Sequence, residues 1–231
     1  MKNLYIAAVI ASVPLSSKAA DVILPDANWG YVHLLDGTGA HIDPETLDSD
    51  FDVTFMRSVG YNGPAFVDGS GPFAFGGVDG ITANTTLATP TGGTRQTTYF
   101  RTTFTLGANR LTNPVIDLLV DDGAIIYLDG AVYRSFNMPE GASSDFFQFA
   151  TGTVSETEHA ILTTLEDGST LLPDIGPGSH TIAISLHQVN NTSSDIGLSF
   201  SLSGDLVAIP EPSAIGLLTL GSLMVARRRR G

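Results

Sequence analysis

The residues best suited to chemistry in this sequence are aspartates at turns. Asp121-Asp122-Gly123 and Asp129-Gly130 bracket a short apolar run. Asp121, Asp122 and Asp129 supply hard oxygen ligands of the kind calcium takes. The same residues equally serve as turn formers, because aspartate bonds its own backbone and Asp-Gly favours a tight hairpin. His187, Gln188 and the Ser193-Ser194-Asp195 turn, with Asp195 as its carboxylate, make a second polar group that flanks a hairpin between two strands. Such side chains either hydrogen-bond sugar hydroxyls at the rim of a sandwich or hold the loop together. Tyr127, Tyr133 and Arg134 offer a stacking platform for a sugar ring, or are half-buried strand residues.

Catalytic signatures are missing from the sequence. It has no G-x-S-x-G elbow, no H-E-x-x-H, no P-loop and no G-x-G-x-x-G opening a helix. The five histidines are scattered, and no carboxylate pair stands out as a glycosidase pair would. A non-catalytic chain is therefore expected, with a structural surface protein lacking a small-molecule site as one alternative and a hydrolase with an unrecognised site as another.

The elements that must position these residues read as strands. No long stretch carries apolar residues at helical spacing, and Gly, Thr, Ser, Asp and Pro punctuate short apolar runs. Residues 29–35 form an early strand, 51–57 a short strand, and 62–80 a glycine-rich loop over the end of the sandwich. Residues 97–106 alternate, with Phe100, Thr102, Phe104 and Leu106 on one face. Residues 115–120, 124–128, 131–136, 146–149 and 157–165 read as further strands. Residues 179–189 and 194–203 alternate with Ile182, Ile184, Leu186, Ile196, Leu198, Phe200 and Leu202 inward. The expected fold is all-β, a single antiparallel sandwich of two facing sheets.

Composition limits the partners. Setting aside the two ends, residues 20–209 carry 5 basic and 23 acidic residues and no lysine. Nucleic acid and anionic lipid are poor partners for such a surface. With no cysteine, disulfides, cysteine nucleophiles and thiolate zinc sites are excluded.

Both ends read as signals. Lys2, then an apolar stretch over residues 4–15, then Ser17-Lys18-Ala19 suggests a signal peptide over 1–19 with cleavage after Ala19. At the other end Pro210, Glu211 and Pro212 interrupt regular structure, and residues 214–226 are apolar and uncharged. As a helix that run spans about 20 Å, short against a hydrocarbon core of about 30 Å. Arg227, Arg228, Arg229 and Arg230 then favour a cytoplasmic C-terminus. The expected organisation is a signal peptide over 1–19, a β-domain over 20–204, a linker over 205–208 and a sorting segment with a short apolar helix over 209–231.

Residues 209–231 resemble the PEP-CTERM sorting signal: Pro-Glu-Pro, an apolar helix and a terminal arginine cluster in fixed order. That resemblance implies export through the general secretion machinery, transient membrane insertion and recognition by an exosortase, a membrane-embedded cysteine transpeptidase. The family occurs in bacteria with outer membranes that make exopolysaccharide, so the expected place is the cell envelope, cell surface or extracellular matrix. The segments TTYFRTTFTL, LLVDDGAIIYLDG, NMP and HTIAISLHQVNNTSSDIGLSFSL, with Trp29-Gly30-Tyr31 and the Gly71-Pro72-Phe73-Ala74-Phe75-Gly76 loop, resemble a galactose-binding-like jelly roll of bacterial secreted proteins. It implies an accessory binding module, here without the aspartate-tryptophan pair usual before the glycine-rich loop.

Overall fold

The computed structural model describes residues 17–57, 65–154, 157, 159–165, 168 and 170–209. Strand accounts for 48% of the chain and helix for 4%, and the strands form two six-stranded, mainly antiparallel sheets.

In chain order the strands are β1 (Ser17–Ile23), β2 (Asn28–Val32), β3 (Val67–Ser70), β4 (Phe73–Phe75), β5 (Thr85–Thr86) and β6 (Thr98–Gly107). Then come β7 (Asn109–Asp121), β8 (Gly123–Leu128), β9 (Ala131–Phe136), β10 (Ala160–Leu162), β11 (Gly178–His187) and β12 (Ile196–Ala208). A single helical turn, α1 (Phe51–Thr54), and a 3-10 turn at Pro44–Thr46 lie between β2 and β3. The first sheet runs β10-β7-β12-β4-β5, with β1 also on β12. The second runs β3-β2-β6-β11-β8-β9.

Alternation builds the core between the sheets. Ile116, Leu118 and Val120 of β7 and Leu198, Phe200 and Leu202 of β12 face Phe100, Phe104, Ala124, Ile126, Ile182, Ile184 and Leu186 of the second sheet. Trp29 packs edge-on against Phe200, with ring centroids 5.5 Å apart. Pro114, which lacks an amide hydrogen, sits where the β7–β12 register shifts, a place a strand tolerates it.

A second apolar layer covers the outside of the second sheet. Tyr99, Ile125, Tyr127 and Ala183, the opposite faces of β6, β8 and β11, pack under Phe51, Phe55, Met138 and Phe146. Burial on both faces is why β8 reads Gly-Ala-Ile-Ile-Tyr-Leu with no polar alternate.

Several expected elements differ. Residues 51–57 hold α1 rather than a strand, because Phe51 and Phe55 are one helical turn apart and both turn inward onto Tyr99. Residues 67–70 and 73–75, expected as loop, are strands β3 and β4. Residues 146–149 are loop, and the strand expected over 157–165 is reduced to β10. The expected linker 205–208 is strand: β12 pairs there with β7, Asp205 opposite Thr112 and Ala208 opposite Asn109. Ser17, Lys18 and Ala19, expected within the signal peptide, lie in β1 opposite Val207, Leu206 and Asp205. Among the described residues no helix is long and apolar enough to cross a membrane; Pro210, Glu211, Pro212, the apolar run and the four arginines lie outside the described residues.

Candidate functional site

The two poles of the sandwich differ. At one, the β7–β8 turn, the end of β11 and the start of β6 meet long loops. The loop over residues 137–151 is fastened there at several points. The Asn137 amide donates to Asp122 O at 3.2 Å, and Thr151 N donates to Asn137 O at 2.9 Å. Ala150 N donates to Gln188 O at 3.0 Å. Met138, Phe146 and Ala150 are buried and act as its apolar anchors.

Between two of these anchors the chain makes a tight turn. Gln148 N donates to Asp145 O at 3.0 Å, and Phe147 N donates to Asp145 Oδ1 at 2.7 Å. The aspartate side chain thus holds the turn by bonding backbone two residues on. With Phe146 pinned inward, the turn sends Phe147 outward, and the residue is 61% exposed. Phe147 stands edge-to-face with Phe146, centroids 5.1 Å apart. Phe147, Phe149, Asp145, Gln148, Ser143 and Thr151 line an open concavity of about 650 Å³. An exposed aromatic face beside a carboxylate, an amide and hydroxyls is the mixture that takes a polar ligand with an apolar face.

Beneath the loop runs a buried hydrogen-bond network. His187 is fully buried. A carbonyl only accepts, so His187 Nδ1 carries the proton and donates to Gln148 O at 2.9 Å, with Thr97 Oγ1 at 3.0 Å from the same nitrogen. Its Nε2 accepts from Ser185 Oγ at 2.8 Å. The Tyr127 hydroxyl lies beside the side chains of Ser185 and Ser144. Ser144 Oγ donates to Asp52 O at 2.7 Å, and Tyr99 OH donates to Ser144 O at 2.8 Å. The chain of bonds therefore joins β11, the loop of Phe147 and the segment carrying α1. These buried bonds rigidify the pole.

Electrostatics follow from the burial. Burial pushes the His187 imidazole down to about 4, against the raising effects of the Gln148 carbonyl and Asp145. Burial likewise holds His33 at about 4, against its bond to Ala88 O, and His41 lower still, with His33 adding to the effect. Asp52 goes the other way, to about 7. Burial is the main cause, then the charges of Glu45, Asp145 and Asp43, opposed by the Tyr99 hydroxyl.

The sequence-derived candidates are placed differently from the expectation. Asp121 and Asp122 are buried at one end of β8, and Asp129 lies at the other end, about 20 Å away along the strand. Asp122 Oδ2 accepts from Val189 N at 2.9 Å. Asp129 and Gly130 both have positive φ, +52° and +87°, in the hairpin between β8 and β9. Asp129 also holds His180 Nδ1 at 2.7 Å and Thr181 N at 2.8 Å. The three aspartates are therefore not one calcium site, and among the described residues no three carboxylate or imidazole groups converge as a metal site. Physically, a strand separates them, and Asp122 and Asp129 already hold Val189 N, Thr181 N and His180 Nδ1.

Tyr127 and Tyr133 face opposite sides of the second sheet. Tyr127 packs under Phe55 and Tyr133 points into the inter-sheet core, where its hydroxyl donates to Pro173 O at 2.7 Å. With Arg134 half-buried and bonded to Ser135 O, these three form no platform. His187 and Gln188 are buried, Gln188 donating to Asp121 O at 3.0 Å, so neither meets a ligand directly. Asp195 sits apart beside Gly76, whose added Cβ would lie 2.6 Å from its Cβ. The residue that sequence reasoning missed is Phe147. Its signal was the run Asp145-Phe146-Phe147-Gln148, in which an aspartate-led turn sets two adjacent aromatics on opposite sides.

No family model and no curated protein matches the sequence. Similar solved structures include the β-glucuronidase of Ruminococcus gnavus, in complex with D-glucaro 1,5-lactone and in its apo form. Each is 12% identical with a TM-score of 0.37 over 84% of this chain. The chain spans less than a third of those proteins' length, 30% and 29% respectively.

Proposed function

We propose that this chain is an exported, non-catalytic protein of the cell envelope or extracellular matrix. It carries a galactose-binding-like jelly-roll module that binds polysaccharide at one pole. The observation that supports binding is Phe147, 61% exposed over a concavity that also offers Asp145, Gln148, Ser143 and Thr151. A sugar ring lays its apolar face on an aromatic ring and its hydroxyls on such groups. The acidic surface favours neutral polysaccharide over polyanions. Delivery rests on the ends of the sequence: a signal peptide, and a tail of the PEP-CTERM kind recognised by an exosortase.

Two experiments test the two halves. On a glycan array the chain binds neutral oligosaccharides and Phe147→Ala does not; an array with no bound glycan defeats the binding half and leaves a structural surface protein. In a host with the sorting system, removing residues 227–230 leaves the domain folded and changes its compartment. Unchanged compartment and unchanged processing defeat the sorting half.

A further inference from the structure

The chain ends leave the sandwich together, at the pole opposite Phe147. β1 and β12 are antiparallel with Ser17 opposite Val207, so the first described residue and the last strand residues lie side by side. Ala208 pairs with Asn109 at the start of β7. The end of β7, Asp121, pairs with Gly197 at the start of β12, and the loop of Phe147 is tied to Asp122, His187 and Gln188 there. β7 has 13 residues, so the poles are about 40 Å apart.

Almost no slack separates the fold from the tail. Ile209 N still donates to Ala108 O at 3.1 Å, and Pro210 follows directly. Between that bond and the apolar run beginning at Ala214 only residues 210–213 intervene, about 14 Å at full extension. The domain surface is strongly acidic, with 23 acidic against 5 basic residues over 20–209, so an anionic bilayer repels its flanks and it does not lie flat.

We propose that, while the tail is in the membrane, the pole of Ser17 and Ile209 faces the bilayer and the concavity of Phe147 is held about 40 Å from it, turned toward the surroundings. This rests on the reading of the tail as a membrane-inserting segment. Polysaccharide would then meet the molecule at its outer end before any processing releases it.

The natural absence of cysteine allows a clean test. In the full chain, Ala108→Cys at the near pole and Ser143→Cys at the concavity, both exposed positions, each receive one fluorophore. The chain is reconstituted in vesicles of phosphatidylethanolamine and phosphatidylglycerol containing a lipid with a nitroxide headgroup. Quenching at position 108 is expected to exceed that at 143 by at least threefold. Equal quenching, or stronger quenching at 143, in chains that float with the vesicles overturns the orientation alone. A full chain that does not float, or floats no better than one ending at residue 209, overturns the tail reading and the orientation with it.

Discussion

His187 Nδ1 donates to the carbonyl of Gln148 at 2.9 Å, from a side chain with no solvent exposure. One buried imidazole on β11 thereby grips the turn that presents Phe147. The histidine that looked in sequence like a ligand-binding group acts instead as the fastening of the turn that carries Phe147.

His187→Ala is expected to destabilise the domain by about 2–4 kcal/mol. It opens a cavity and leaves Ser185 and Gln148 O without their partner. Urea unfolding measures the loss, and a change below 0.5 kcal/mol would show the network to be dispensable. Glycan affinity should fall as well, since the turn is no longer held.

Phe147→Ala is expected to leave the unfolding midpoint within about 0.5 kcal/mol of the parent, because the ring is largely exposed. Its glycan affinity should drop at least tenfold, while Phe147→Trp retains binding. Isothermal titration with the best array glycan reads this, and equal affinity for the alanine variant removes Phe147 from the site.

Stability should respond to pH in two opposing ways. His187 and His33 have folded pKa values of about 4, below their usual value, so burying them neutral is fully favourable above about 6.5 and that contribution is lost as pH falls toward 4. Asp52, raised to about 7, holds its proton better folded than unfolded, so its contribution declines as pH rises from about 4 to 7. Asp52→Asn should therefore be more stable than the parent at pH 8 and no more stable at pH 4. Denaturant midpoints at pH 4, 6 and 8 check the sign, and an advantage appearing only at pH 4 contradicts it.

Gly123→Ala tests the seat of the loop. The added Cβ would lie 2.7 Å from Met138 Sδ, 2.8 Å from Ala150 Cβ and 3.0 Å from Asn137 O. Overpacking of this kind should cost about 1–3 kcal/mol and loosen residues 137–151. Faster amide exchange at Ala150 and Thr151 would report it; unchanged protection there would mean the loop is anchored elsewhere.

Much of the fold was legible because strands facing one core alternate. Ile182, Ile184, Leu186, Leu198, Phe200 and Leu202 all point inward as their spacing implies. Asp129-Gly130 is the hairpin its dipeptide signals. What period-2 reading missed was the second apolar layer. Tyr99 and Tyr127 are covered by a segment far away in sequence, so exposure on their face was undeterminable locally. The same cover turned Tyr127 and His187 from candidate ligands into buried polar groups, and a four-residue helical turn at Phe51–Thr54 is too short for a periodic signal. Phe147 escaped because a turn, not a strand, sets its direction.

β12 is a 13-residue strand that stays paired with β7 as far as Ala208, just ahead of the tail sequence. If polysaccharide is held at the far pole and the tail at the near one, a pull between them runs lengthwise along β12 and β7. Antiparallel neighbours loaded in that direction slide rather than unzip, so many ladder bonds must yield at once. A tug on β1 relative to β12 would instead open bonds singly, since their outer ends lie at the same pole. Under such a load the sandwich is mechanically polar: stiffer when drawn between its two poles than when β1 is drawn away from β12.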